Sequence, residues 1–163
     1  MHINYGRHTA PVDRPCVLFL IGMRVNRWLA LREWVPVARS MRPMIAELSA
    51  DPDSGFLGAE TWMGWRRVLV QQYWRSTADL IRYAGDSGQL HRPAWTAFMR
   101  NVGIADGASV GIFHETIELR PGQVECIYGN MPAFGLGRAL GTVPATGPRK
   151  TAADRLHADQ PPG

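Results

Sequence analysis

Apolar positions along the chain recur at two spacings, and the switches between them mark out the elements. Cys16-Val17-Leu18-Phe19-Leu20-Ile21-Gly22-Met23-Arg24-Val25-Asn26 is apolar at both parities, which predicts a strand buried on both faces. Over residues 32–50 the period becomes helical: Trp34, Val37, Met41, Met44, Ile45 and Leu48 fall at steps of three and four, giving one apolar stripe. Pro36 suits a first turn, whereas Pro43 lacks an amide hydrogen and is expected to kink or restart the helix. Asp51-Pro52-Asp53-Ser54-Gly55 ends it. Residues 56–65 and 67–75 read as two further strands. Ser76-Thr77-Ala78-Asp79 has the spacing of a capping box and opens a helix through Leu80, Ile81 and Tyr83. A loop over 86–90 leads to a helix start at His91-Arg92-Pro93, with Trp95, Phe98, Met99 and Val102 on one face. Residues 108–119 and 124–130, joined through Pro121-Gly122, predict an antiparallel hairpin.

The order is β-α-β-β-α-β plus one strand, the split-βαβ, ferredoxin-like arrangement of an α+β protein with an antiparallel sheet. Helices would cover one face of that sheet. The other would hold too many apolar groups for a monomer, which predicts a homodimer in which two sheets close into a dimeric α/β barrel. The expected organisation is an irregular N-terminal arm over 1–14, the barrel domain over 15–137, and a disordered tail over 138–163, where Gly, Pro, Ala and Thr accumulate.

Composition narrows the classes. At 163 residues the chain can bury one core. Its two cysteines, Cys16 and Cys126, sit in apolar runs and read as small hydrophobes in a reducing compartment. The net charge of +4 comes from scattered arginines. Trp65-Arg66-Arg67 and Tyr73-Trp74-Arg75 lie in strand-like stretches, so they do not make the clustered footprint of a nucleic-acid binder. Residues 1–14 lack the apolar core of a signal peptide. The run Val17 to Val25 is shorter than the ~20 residues that span a bilayer. A cytoplasmic protein with neither nucleic-acid nor membrane partners is expected.

His114 is the leading site candidate. Alternation places it with Val110, Ile112, Thr116 and Glu118, opposite Phe113, Glu115, Ile117 and Leu119. The bulkier second set suits packing under the helices, which would turn His114 toward the open face. An imidazole there can ligate a metal or haem iron or act as a base; a structural histidine bonded across the sheet is the competing role. His114-Glu115 is not a zinc-protease motif, because Glu118 stands where H-E-x-x-H needs its second histidine. His91, at a helix start, is the second candidate ligand, with capping or exposure as its plain explanation. Arg24 with Asn26, and Tyr128 with Asn130, end strands and could rim a cavity. Equally, Arg24 could pair with a surface carboxylate, and Asn130 could set a turn.

Six stretches carry a family resemblance: Phe19 to Asn26, Pro36 to Arg39, Asp51 to Gly55, Gln72 to Ser76, Gly111 to Thr116 and Tyr128 to Pro132. They resemble a monooxygenase-like family described as domain of unknown function 4188, within the dimeric α/β barrel superfamily. That superfamily includes cofactor-free antibiotic-biosynthesis monooxygenases and haem proteins. His114-Glu115 and Tyr128-Gly129-Asn130-Met131-Pro132-Ala133-Phe134-Gly135 are also similar to the closing segment of the haem-containing aldoxime dehydratases. That likeness implies His114 as iron ligand, with Arg24, Asn130 and Tyr128 on the distal side. Met131 departs from it, standing where the dehydratases carry a catalytic histidine. The leading expectation is therefore a haem-binding enzyme, monooxygenase-like or dehydratase-like, for a small organic substrate. The alternatives are a cofactor-free monooxygenase with His114 as base, and a non-enzymatic small-molecule-binding barrel.

Overall fold

The computed structural model describes residues 2–86 and 88–158. Its elements in chain order are β1 (Asn4–Thr9), β2 (Cys16–Val25), α1 (Leu31–Ala50), β3 (Phe56–Met63), β4 (Arg67–Trp74), α2 (Thr77–Gly85), α3 (His91–Asn101), β5 (Val110–Leu119), β6 (Tyr128–Met131), α4 (Leu136–Leu140), β7 (Val143–Pro144) and α5 (Ala152–Ala158). Strands β3-β4-β2-β5 form an antiparallel four-stranded sheet, and β6-β1-β7 form a smaller second sheet. The four-stranded order, with α1 and α2–α3 as the two crossovers, is the ferredoxin-like fold read from the sequence. Within one chain this sheet is open, with β3 and β5 at its edges. Among the described residues no helix is long and apolar enough to cross a membrane.

Local chemistry explains several elements. Ser76 caps α2: its Oγ accepts from the Asp79 amide at 3.1 Å and donates to Asp79 Oδ2 at 2.7 Å, as the spacing predicted. Arg75 and Arg82 pair with the same carboxylate at 3.0 and 2.8 Å. These hydrogen bonds, led by the one from Arg75, lower the Asp79 pKa to about 2. Gly55 adopts φ +79°, and a Cβ there would lie 2.5 Å from Asp79 Cγ, so only glycine fits. Helix α1 continues through both Pro36 and Pro43, so it does not restart at Pro43. Burial of Met44 and Leu48 on its apolar stripe outweighs the lost backbone bond.

Register assigns the faces. Val17, Phe19, Ile21, Met23 and Val25 pair with Glu118, Thr116, His114, Ile112 and Val110. Val17 and Phe19 pack with Leu48, Trp74 and Leu80, while Met23, Val25 and Val110 pack with Phe98. This is the helix-covered side. On the opposite side, Cys16, Leu18, Tyr73 and Leu119 are covered at one end by Ala10, Val124, Cys126, Leu136, Ala139 and Leu140.

Part of that cover lies in or beside segments the sequence did not credit with structure. Residues 4–9, expected to be irregular, are strand β1. The turn after β5 forms, with the Gln123 amide on the Arg120 carbonyl at 3.0 Å, but the expected hairpin does not. Instead β6 crosses to pair with β1 (His8↔Tyr128, Arg7↔Gly129). The tail read as disordered supplies α4, β7, which pairs with β1, and α5. In α5 the buried Arg155 holds Glu125 at 2.7 Å; residues 159–163 of that tail lie outside the described residues. Cys16 is buried and Cys126 half-buried, and both are free thiols.

Candidate functional site

A cavity of about 1000 Å³ lies between the four-stranded sheet and the helices. Phe19, Ile21, Met23, Val68, Val70 and Ile112 form its floor, and Val37, Met41, Met44, Leu80, Trp95 and Phe98 line it from α1, α2 and α3. These are the core-facing positions of each element, so the cavity is a place where the apolar layer is incompletely filled. His114 and Thr116 line it from β5, and His91 and Arg92 from the start of α3.

His114 therefore points toward the helices, not toward the open face. The alternation that grouped it with Val110, Ile112, Thr116 and Glu118 is observed, but the assignment of sides is reversed. Phe113 and Ile117 were expected under the helices and instead stand 46% and 41% exposed, on the far side. Edge strand β5 leaves His114 exposed at the cavity margin, with its ring 5.7 Å from that of Phe19.

His91 lines the same cavity from the first residue of α3. Its ring lies 6.2 Å from that of Tyr83, and its buried Nδ1 has no hydrogen-bond partner. A buried polar atom without a protein partner is uncommon and is available to a ligand. The helix start is tied to α1 through Glu47, whose carboxylate accepts from the Leu90 amide and the Tyr83 hydroxyl, each at 3.2 Å. Burial, followed by the adjacent Glu47 charge, pushes the Tyr83 pKa far above the usual phenol range.

The other sequence candidates lie elsewhere. Arg24 shares the opposite side with Leu18 and Leu20, and its guanidinium donates to the Asn26 side chain. Asn26 in turn donates to the Ala108 carbonyl at 3.2 Å. Tyr128 and Asn130 belong to β6 in the second sheet. The Tyr128 hydroxyl accepts from the Gly137 amide at 3.0 Å, and burial raises its pKa well beyond the ordinary range. Asn130 takes φ +52°, and its Oδ1 accepts from the Gly6 amide at 2.9 Å, which ties β6 to β1 where their register shifts. The structure thus joins His114 with His91 and separates both from Arg24, Tyr128 and Asn130. Among the described residues, no three His, Cys, Asp or Glu side chains gather as a metal-ion site. Thr116 and the methionines of α1 were not singled out as site residues from the sequence; their only signals were alternation with His114 and position in the apolar stripe.

Strand order, helix layer and cavity together define a ferredoxin-like α+β protein with a largely apolar cavity lined by two histidines. The chain belongs to the monooxygenase af470-like family, whose model matches residues 16–136. It is 25% identical over 145 residues to monooxygenase af470 of Aspergillus fumigatus, covering 83% of this chain and 49% of that protein. The chain thus spans about half the length of this curated relative. Similar solved structures include SnoaB, a cofactor-independent oxygenase from Streptomyces nogalater (TM-score 0.45, 15% identity, 64% of this chain and 93% of that one). Another is a putative antibiotic biosynthesis monooxygenase from Caulobacter crescentus (TM-score 0.44, 12% identity, 64% and 91%).

Proposed function

We propose that the cavity is the active site of a cofactor-independent monooxygenase for a largely apolar substrate with an acidic C–H or O–H group. The observation that carries this reading is the meeting of His114 and His91 on one apolar chamber, in a chain of a monooxygenase family. A neutral imidazole can take a proton from such a substrate. The electron-rich anion then reduces dioxygen directly. For a CH₂ group, one oxygen atom ends in the new carbonyl, the other leaves as water with both hydrogens, and no external reductant is consumed. His114 is the base in this scheme. His91, through its unpartnered Nδ1, holds a polar group of the substrate, and the apolar walls hold its apolar body.

Haem fits the site less well. An iron-bound imidazole ordinarily gives its second N–H to a fixed partner, and His114 has none among the described residues. Haem ligation by His114 or His91, and distal roles for Arg24, Tyr128 and Asn130, are accordingly left out of the reaction.

The homodimer belongs to the same proposal. The uncovered half of the opposite sheet face exposes Trp62, Phe113 and Ile117, an area suited to a second sheet. Two chains joined there would make the dimeric α/β barrel.

The test is oxygen uptake by purified protein with a panel of apolar phenols and anthrone-like compounds, without added metal or flavin. Turnover by colourless protein is expected, with kcat lowered about 10²–10⁴-fold in His114→Ala and KM raised in His91→Ala. A Soret band that disappears in His114→Ala would overturn the reading in favour of haem. Undiminished turnover in His114→Ala would show that the base lies elsewhere. Binding of these compounds without oxygen uptake would make the chain a binding barrel instead.

A further inference from the structure

Three loops at one end of the four-stranded sheet carry large apolar side chains in water. The β2–α1 loop holds Trp28 and Leu29, the β3–β4 turn holds Trp65 just after Met63, and the α3–β5 loop holds Ile104. Leu29 is 93% exposed, Trp65 85% and Met63 82%, far from the burial usual for such residues. They are also held outward. Trp65 stacks on Trp28 at 5.8 Å and 10°, and Trp28 stacks on Trp34 at 5.3 Å and 22°. Trp34 Nε1 donates to the Trp28 carbonyl at 2.9 Å, so the ladder is rooted in α1. The loops are pinned by the Val25 amide on the Arg66 carbonyl and the Asn26 amide on the Ser109 carbonyl, both at 2.8 Å.

Charge at this end is predominantly positive. Arg24, Arg27, Arg32 and Arg67 are exposed and Arg66 half-buried, against Glu33 and Asp106 as the acids of the same loops and the first turn of α1. None of these arginines is in an ion pair among the described residues. Tryptophan favours the boundary between headgroups and acyl chains, and guanidinium groups beside it are drawn to anionic headgroups. A second copy of the chain suits this end poorly, since a two-fold contact sets each arginine cluster against its own image.

We propose that this end seats on an anionic lipid bilayer. Trp65, Leu29 and Met63 enter the interfacial layer, and Arg27, Arg32 and Arg67 lie on the headgroups. The earlier expectation of no membrane partner rested on the lack of a spanning segment, which does not bear on surface seating. Ile104 belongs both to this end and to the cavity wall. An apolar molecule dissolved in the bilayer therefore meets the cavity close to the seat. The proposal stands whatever reaction the cavity performs.

The full chain is tested by co-sedimentation and tryptophan emission with vesicles of phosphatidylcholine alone and of phosphatidylcholine mixed with phosphatidylserine. Binding and a blue shift are expected with the mixed vesicles, both weakened by added salt. The Leu29→Ser/Trp65→Ser variant should bind about tenfold or more weakly, as should Arg27→Gln/Arg67→Gln. These positions are exposed, so unchanged circular dichroism and thermal unfolding show that the variants fold. Failure of the native chain to bind mixed vesicles overturns the proposal, as does equal binding by the Leu29/Trp65 variant. So does a change of sedimentation mass in that variant, which would mean that a second copy covers this end.

Discussion

The two faces of the four-stranded sheet are made by alternate residues of the same strands, yet they meet different surroundings. The helix side holds two core clusters, one around Val17 and Trp74 and one around Met23 and Val110, beside a chamber lined by two histidines. The other side is divided. At one end the chain covers Cys16 and Tyr73 with α4 and with Ala10, Val124 and Cys126 from the segments beside β1 and β6; at the other, Phe113 and Trp62 stay about half exposed. On this side the Phe113 ring lies over Gly22, where a Cβ would lie 2.6 Å from Phe113 Cε1 and 2.7 Å from the Val68 carbonyl. Apolar pattern alone therefore does not distinguish a packed face from a docking face. What covers each face does.

The largest expected break is Trp74→Ala. Trp74 is 0% exposed, and its Nε1 donates to the buried Gln72 at 3.0 Å. Its loss should cost about 3–5 kcal/mol in chemical denaturation. A cost near that of a surface change would mean that the helix-side core is looser than described.

Acid titration tests the capped start of α2 on the same side. The folded pKa of Asp79 is lowered to about 2, so its contribution is complete above the unfolded value near 3.8 and is lost as pH falls through about 2. Both arginine partners are more than half exposed, which screens the ion pairs. About 1–2 kcal/mol is expected, measured as the native-minus-variant stability difference for Asp79→Asn at pH 6 that shrinks toward pH 2. A difference that does not shrink would remove the carboxylate from the account.

The smallest effect on the single chain lies on the uncovered face. Ile117→Asp should change unfolding by less than about 1 kcal/mol, in line with a surface substitution. Sedimentation equilibrium should show the proposed dimer dissociating. An unchanged mass would place the subunit contact elsewhere.

Much of the fold was legible because its signals are local. The capping residues of α2, the stripe of α1 and the turn at Gln123 act within a few residues, and the alternation grouping His114 with Thr116 is a property of any strand. The pairing of β6 with β1 was not legible, since it joins His8 to Tyr128 across almost the whole chain. Strands so distant carry no local mark of their partner. Of the site, His114 and His91 were visible as residue types; their convergence was not, and Tyr128, Asn130 and Arg24 proved to be bound up in backbone and amide contacts.

By itself, then, the sequence determined the order of the elements from β2 to β5, the ferredoxin-like class, and which β5 residues travel together. Tertiary structure decided which of the two sets meets the helices. Alternation is symmetric between the faces, and only the packing of α1, α2 and α3 against one of them breaks that symmetry. The same packing left the chamber that His114 and His91 both line.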